Sequence, residues 1–325
     1  MTVPRIGVTA GDPGGVGPEV AVRALARAEA LPPAAFILFA DPRAVEAEER
    51  RLGVRLEAPA WRPGSPAEAG VRLAAVPVAG EVPESGRLSA AGGEASFRAF
   101  EAAVAEARAG RLEAVVTAPV SKAAWALAGH AFNGHTDYLG RLYPGAVMAF
   151  WSERLKVALL THHRSLLEAV AAVRREGILA FLRSLHRSLE RFPGGPYRLL
   201  AAGLNPHAGE DGALGREEEE EIRPAVEAAA AEGIPVTGPF PPDTVFLRAR
   251  GRRDAVVVAL YHDQGLIPFK LEAFADGVNV TLGLPFVRTS PDHGTAFDIA
   301  GRGVADARSM EEALRLAAAL SATGS

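Results

Sequence analysis

At 325 residues the chain is long enough for two domains, and its 48% hydrophobic and 23% charged content is that of a globular protein with a substantial core. A formal charge of −4, with arginines scattered rather than gathered into a stripe with aromatics, argues against nucleic acid as a partner. The absence of cysteine excludes disulfides and thiolate metal sites, so any transition-metal centre must be built from histidine and carboxylate.

Taken in chain order, short β-rich runs alternate with alanine-rich helical stretches. Arg5–Ala10 reads as a first buried strand, because the opening MTVPRIGVTAGDPGG lacks a basic region followed by an apolar stretch. No apolar run reaches the roughly 18 residues of a membrane span, so no membrane association and a cytoplasmic setting are expected. A helix is predicted over Pro18–Ala30, with proline preset for the first turn and Glu19 complementing the dipole there. Strands follow at Phe36–Ala40 and Val71–Val78, a helix at Glu94–Ala109, and strands at Glu113–Val120, Val147–Trp151 and Lys156–Thr161. Next come a long helix over Leu166–Glu190, a strand at Arg198–Ala202, a helix over Glu217–Glu232, strands at Ala255–Tyr261 and Val278–Leu282, and a helix over Met310–Thr323. This is the alternation of a mostly parallel α/β sheet. The acidic run Glu217–Glu221 is expected to be a solvated first helical turn and not a metal site.

Residue usage is skewed: three lysines stand against 32 arginines, with three asparagines and one glutamine. Such avoidance of amides and cysteine, with 24 prolines, resembles a thermophile's usage. All four amides (Asn133, Asn205, Gln264, Asn279) and two lysines (Lys122, Lys270) fall within 117–140, 203–215 and 261–290. A particular donor and acceptor pattern is therefore required in those segments.

In an open parallel sheet, ligands gather beyond the carboxyl ends of the strands. His163, His207 and His262 each sit just after an apolar strand, where three imidazoles can converge on one ion and leave coordination positions open for substrate. Asp263 and Asp243 are candidates to orient a ligand, their plainer readings being a turn cap and a loop-to-backbone bond. Lys270, Asn279 and Arg288 offer charge and donors to an anionic substrate, the alternative for Lys270 being a surface ion pair. TAGDPGGVGPEV follows a strand and opens a helix, yet its spacing is not GxGxxG, so it does not read as a dinucleotide turn.

Several motifs together resemble the 4-hydroxythreonine-4-phosphate dehydrogenases of pyridoxal phosphate biosynthesis: GDPGGVGPE (11–19), TAPVSK (117–122), GHTDYL (134–139), GLNPHAGE (203–210), GPFPPDT (238–244), and YHDQGLIPFK with GVNVTLGLPFVRTSPDHGTAFDIAGRG (261–303). The resemblance implies one divalent metal (zinc, magnesium or cobalt) on His163, His207 and His262, with His162 beside His163 as a departure from the family pattern. It implies substrate contacts by His135, Thr136, Lys270, Asn279 and Arg288, and a homodimer whose active site draws on both subunits. GDPGGVGPE and DHGTAFDIAGRG also resemble the wider isocitrate and isopropylmalate dehydrogenase class, which binds NAD or NADP without a Rossmann fingerprint. By that analogy His293, Gly294, Thr295 and Asp298 lie near the cofactor.

The implied fold is two α/β/α domains with mostly parallel sheets and an active-site cleft between them, residues 1–115 plus 280–325 forming the first and 116–279 the second. The implied reaction is oxidation of 4-phosphooxy-L-threonine at its 3-hydroxyl, then decarboxylation to 3-amino-2-oxopropyl phosphate. The alternatives are a dehydrogenase of threonate or erythronate phosphate, and a metal-dependent hydrolase in which the glycine segments are only turns.

Overall fold

The computed structural model describes residues 3–190, 192 and 195–322. Its strands are β1 (Arg5–Thr9), β2 (Ala35–Ala40), β3 (Gly70–Ala75), β4 (Ala114–Thr117), β5 (Val147–Trp151), β6 (Lys156–Leu159), β7 (Arg198–Ala202), β8 (Val236–Phe240), β9 (Ala255–Ala259), β10 (Val278–Leu282) and β11 (Val287–Pro291). They divide between two units, Met1–Leu142 with Pro285–Ser325, and Tyr143–Leu284.

The first unit orders its strands β3-β2-β1-β4-β11, every pair parallel. All six residues of β2 (AFILFA) are buried, the continuous apolar run that a strand covered on both faces requires. The second unit runs β10-β5-β6-β9-β7-β8; its β10-β5-β6 portion is antiparallel and the remainder parallel. One face is filled by Met148, Phe150, Val157, Leu159, Val257, Leu266 and Phe269, which joins the helix His262–Ala273 to the strands beneath it.

The units divide at 142/143 and 284/285 rather than at the expected 115/116 and 279/280. Trp125, fully buried in the helix Lys122–Leu127, stacks on Phe100 and donates to Ser96 Oγ at 2.9 Å, which fastens 116–142 to the helix Ala90–Arg108 of the first unit. At the other limit, β10 pairs with β5 through Leu282.

Several local expectations change. The helix read as Leu166–Glu190 is two, Leu166–Ala171 and Arg175–Glu190, the first opened by a capping box from Ser165 and Glu168. The last helix spans Arg308–Ala322, and the expected end at Thr323 lies outside the described residues. Strand β8 reads VTGPF, whose glycine and proline mask a strand but suit the edge position it occupies. The helix His262–Ala273 carries Gly265 and Pro268, which disguise it in sequence. A Cβ at Gly265 would stand 2.7 Å from Leu159 Cδ2, so glycine permits the close seat of this helix on β6. Among the described residues, no helix is long and apolar enough to cross a membrane.

Candidate active site

In the second unit, β6, β9 and β7 are neighbours and parallel, so their carboxyl ends share one edge. His162 and His163 follow β6, His262 follows β9, and His207 follows β7 by the loop 203–206. A cavity of about 270 Å³ lies at that edge, lined by Thr161, His162, His163, Arg164, Tyr261, His262 and Asp263 among others. The rings of His163 and His262 stand 6.2 Å apart between centroids, and those of His162 and His163 5.2 Å. Asp263 Oδ1 lies 2.7 Å from His262 Nδ1. A carboxylate there accepts a hydrogen bond from Nδ1–H, the tautomer that leaves the Nε2 lone pair for a ligand.

His163 (φ 47°) and His207 (φ 55°), with Ala208 (φ 55°), occupy the left-handed region, at a cost of about 1–3 kcal/mol each for residues other than glycine. Such strain persists only where the surroundings impose it, and here it marks two of the three histidines singled out in sequence. The donor set, imidazoles with one carboxylate behind them, suits a divalent transition metal. Among the described residues, however, no three histidine or carboxylate side chains of one chain close on a common point.

Side-chain amides and a buried carboxylate hold this edge. Thr161 Oγ1 donates to the carbonyl of Leu260 at 2.7 Å, joining the ends of β6 and β9. Gln264 joins the ends of β9 and β7, its Oε1 accepting from Leu260 N and its Nε2 donating to Gly203 O, both at 2.7 Å. Glu218 is only 1% exposed and accepts from Leu204 N and Asn205 N at 2.7 Å and from Asn205 Nδ2 at 2.9 Å. The acidic run is thus not wholly solvated: Glu218 opens a π-turn over Glu218–Ile222 and is buried against the loop carrying His207, where Glu217 also accepts from Asn205 Nδ2 at 2.7 Å.

In the first unit, Arg288 on β11 is 3% exposed. Its Nη2 donates to Thr117 Oγ1 at 2.7 Å and lies 3.3 Å from His135 Nδ1. Burial lowers the Arg288 pKa to about 10, which leaves it cationic at neutral pH. Burial first, and the Arg288 charge second, hold His135 well below the usual imidazole range. A neutral ring that accepts from Arg288 at Nδ1 carries its proton on Nε2, an enclosed atom with no hydrogen-bond partner among the described residues. The helix His135–Leu142 places Thr136 one residue on, half-buried. Lys270, exposed, and Asn279, half-buried on β10, belong to the second unit, as does the exposed Asp243 beyond β8.

The two glycine-bearing segments meet within the first unit. Val16 N donates to Thr295 O at 2.8 Å, and a Cβ at Gly15 would stand 2.6 Å from that carbonyl. His293, Gly294 and Asp298 are exposed on the loop, and a Cβ at Gly294 would meet nothing within 4 Å. The open backbone there leaves room for a ligand along the loop, whereas in the segment 11–19 Asp12 is fully buried.

The family model for pyridoxal phosphate biosynthetic protein PdxA matches residues 33–317. The chain belongs to this family. It is 43% identical to D-threonate 4-phosphate dehydrogenase of Cupriavidus necator, over 98% of this chain and 97% of that one. It is 42% identical to 4-hydroxythreonine-4-phosphate dehydrogenase of Beijerinckia indica, over 97% and 94%. The crystal structure of 4-hydroxythreonine-4-phosphate dehydrogenase from Klebsiella pneumoniae superposes with a TM-score of 0.85 at 38% identity, covering 98% of this chain and 99% of that one. At the level of fold alone, isocitrate dehydrogenase from Methylococcus capsulatus aligns over 98% of this chain and 85% of that one with a TM-score of 0.50 at 15% identity. PdxA-family membership makes the chain a dehydrogenase, and sets aside the hydrolase alternative.

Gln264, Glu218, Thr161 and Thr117 were not singled out in sequence as site residues. For Gln264 a signal existed, since it is the one glutamine of the chain. For Glu218 there was none, because its four neighbours in the run are glutamates as well.

Proposed function

We propose that this PdxA-family enzyme oxidises 4-phosphooxy-L-threonine at its 3-hydroxyl with NAD or NADP and releases the carboxylate as carbon dioxide, leaving 3-amino-2-oxopropyl phosphate. The observation that carries the reading is the buried Arg288–His135 pair, a cation beside a neutral imidazole on a chain whose relatives are named for 4-phosphate substrates. Arg288 supplies a fixed charge and a planar fork to an anionic group of the substrate. His135 presents Nε2–H as a second donor, Thr136 a hydroxyl, Lys270 a compact charge and Asn279 an amide.

His163, His207 and His262 would hold one divalent ion, zinc, cobalt or magnesium. When bound, it supplies Lewis acidity toward substrate oxygen, and the nicotinamide supplies the hydride acceptor. Asp263 keeps the His262 ring oriented, and Asp243 is the second carboxylate proposed to serve this centre. His293, Gly294, Thr295 and Asp298 are proposed to meet the cofactor. Because His162 lines the same cavity as His163, it is the competing ligand; zinc content of His162→Ala and His163→Ala decides between them. His207→Ala is expected to lose metal and turnover together.

A second copy of the chain belongs to this reading. The helix that opens with His262 exposes Ile267 (60%) and Leu271 (83%), followed by Phe274 (83%), one turn-spaced apolar face. We propose that a homodimer covers it and completes the metal site; Leu271→Glu is then expected to sediment as a monomer and to bind metal poorly.

The test of the reaction is absorbance at 340 nm with enzyme, NAD, zinc and 4-phosphooxy-L-threonine, before and after chelation. A rise abolished by chelator supports it. The Cupriavidus relative motivates a second reading, oxidation of D-threonate 4-phosphate, and a larger kcat/KM on that acid would establish it instead.

A further inference from the structure

The loop 295–305 is pinned to the segment 14–23 at both ends. At its start, Val16 N donates to Thr295 O at 2.8 Å, and Gly15 is packed against the same residue. At its end the pin is electrostatic. Glu19, 1% exposed, accepts from the backbone N–H of Ala305 at 2.8 Å through Oε1. The same oxygen lies 3.4 Å from Arg23 Nε, and Arg23 Nη2 donates to the carbonyl of Gly303. A buried carboxylate is costly unless it is paired and hydrogen-bonded, and here the partners are one guanidinium and the loop itself. An acid at this point of a helix is ordinarily a solvated complement to the dipole. Burial against the loop gives Glu19 another role.

We infer that Glu19, with Arg23, is a positioning pair that fixes the 295–305 loop in the shape that receives the dinucleotide cofactor. Neither residue touches the cofactor; each acts through the backbone of Gly303 and Ala305. The inference rests on the reading that the 293–298 stretch meets the cofactor. It explains why the glycine-rich segment 11–19 lacks a dinucleotide spacing: its part is to brace a second loop, and Gly15 is small because Thr295 lies against it.

The test uses Glu19→Gln and Arg23→Met, with Asp298→Ala as the marker of the cofactor reading. Three quantities are measured on the full-length protein: trypsin cleavage after Arg302, NADH affinity by fluorescence, and zinc affinity. Arg302 is exposed on the loop. Losing a charge-assisted tie is expected to speed cleavage at Arg302 several-fold and to weaken NADH binding about tenfold in both variants, with zinc affinity unchanged. Arg23 is about one-third exposed, so its variant is tolerated where the buried Glu19 variant fails to fold. Unchanged cleavage and unchanged NADH affinity in a folded variant overturn the inference. Faster cleavage with unchanged NADH affinity also overturns it, provided that Asp298→Ala weakens NADH. An Asp298→Ala protein that binds NADH like the parent removes the cofactor reading itself.

Discussion

The side-chain amide of Gln264 donates to the carbonyl of Gly203 at 2.7 Å, while its oxygen accepts from Leu260 N at the same distance. One side chain thereby spans the ends of β9 and β7, two residues after His262 and 61 residues from the loop that leads to His207. A side-chain amide carries an acceptor and a donor on one carbon, which an ionised glutamate does not, and this accounts for a glutamine in a chain that otherwise avoids them.

Gln264→Leu is expected to fold, because the volume is similar, but to leave a buried N–H and a buried carbonyl unpaired. Loss of this support for two of the proposed metal-ligand positions is expected to weaken zinc binding about 10–100-fold. Competition against a chromophoric chelator measures it, and parent-like affinity would show that the strand ends hold their spacing without the bridge.

Glu218 and Glu220 lie two residues apart in one acidic run yet differ in surroundings. Glu218→Ala removes a buried acceptor from two backbone N–H groups and one amide, and a loss of about 3 kcal/mol in urea unfolding is expected. Glu220 is 58% exposed and forms an ion pair with Arg216, so Glu220→Ala is expected to change stability by less than about 0.5 kcal/mol. Equal losses would contradict the inward role of Glu218.

Burial pushes the Asp12 carboxyl up to about 6, against a smaller opposing effect of the bond it accepts from Gly14 N. A raised carboxyl means that the folded state holds its proton more tightly than the unfolded chain, whose value is 3.8. Its contribution therefore favours folding below pH 3.8 and is lost as pH rises through about 6, by about 3 kcal/mol at most. Asp12→Asn is expected to stabilise the protein at pH 8, with the gain vanishing toward pH 4. Melting temperatures of both proteins across that range check the sign.

Arg288→Lys keeps the charge but loses the planar guanidinium, whose Nη2 reaches both Thr117 and His135 and whose fork is proposed to meet the anion. The expected result is a KM for the phosphorylated acid raised about 10–100-fold with zinc affinity unchanged. An unaltered KM would move the anion to Lys270.

Much of the fold was legible in order: β1, β2, β5, β7 and β10 lie within a residue of their expected limits, because largely apolar runs bounded by turn residues have few other uses. Edge strand β8 and the helix His262–Ala273 were not, since glycine and proline hide them and only the neighbouring strands make them necessary. The residue types at the strand ends determined by themselves that nitrogen and oxygen donors, without thiolate, would carry the chemistry. Tertiary structure alone decided that Arg288 and His135 share a buried contact across 153 residues, and that Glu218 of the five glutamates is the one buried. Periodicity reports which face of an element is apolar. It does not report which polar group has lost its water, and that loss is what lowers the His135 pKa, raises that of Asp12 and holds Glu19 against Ala305.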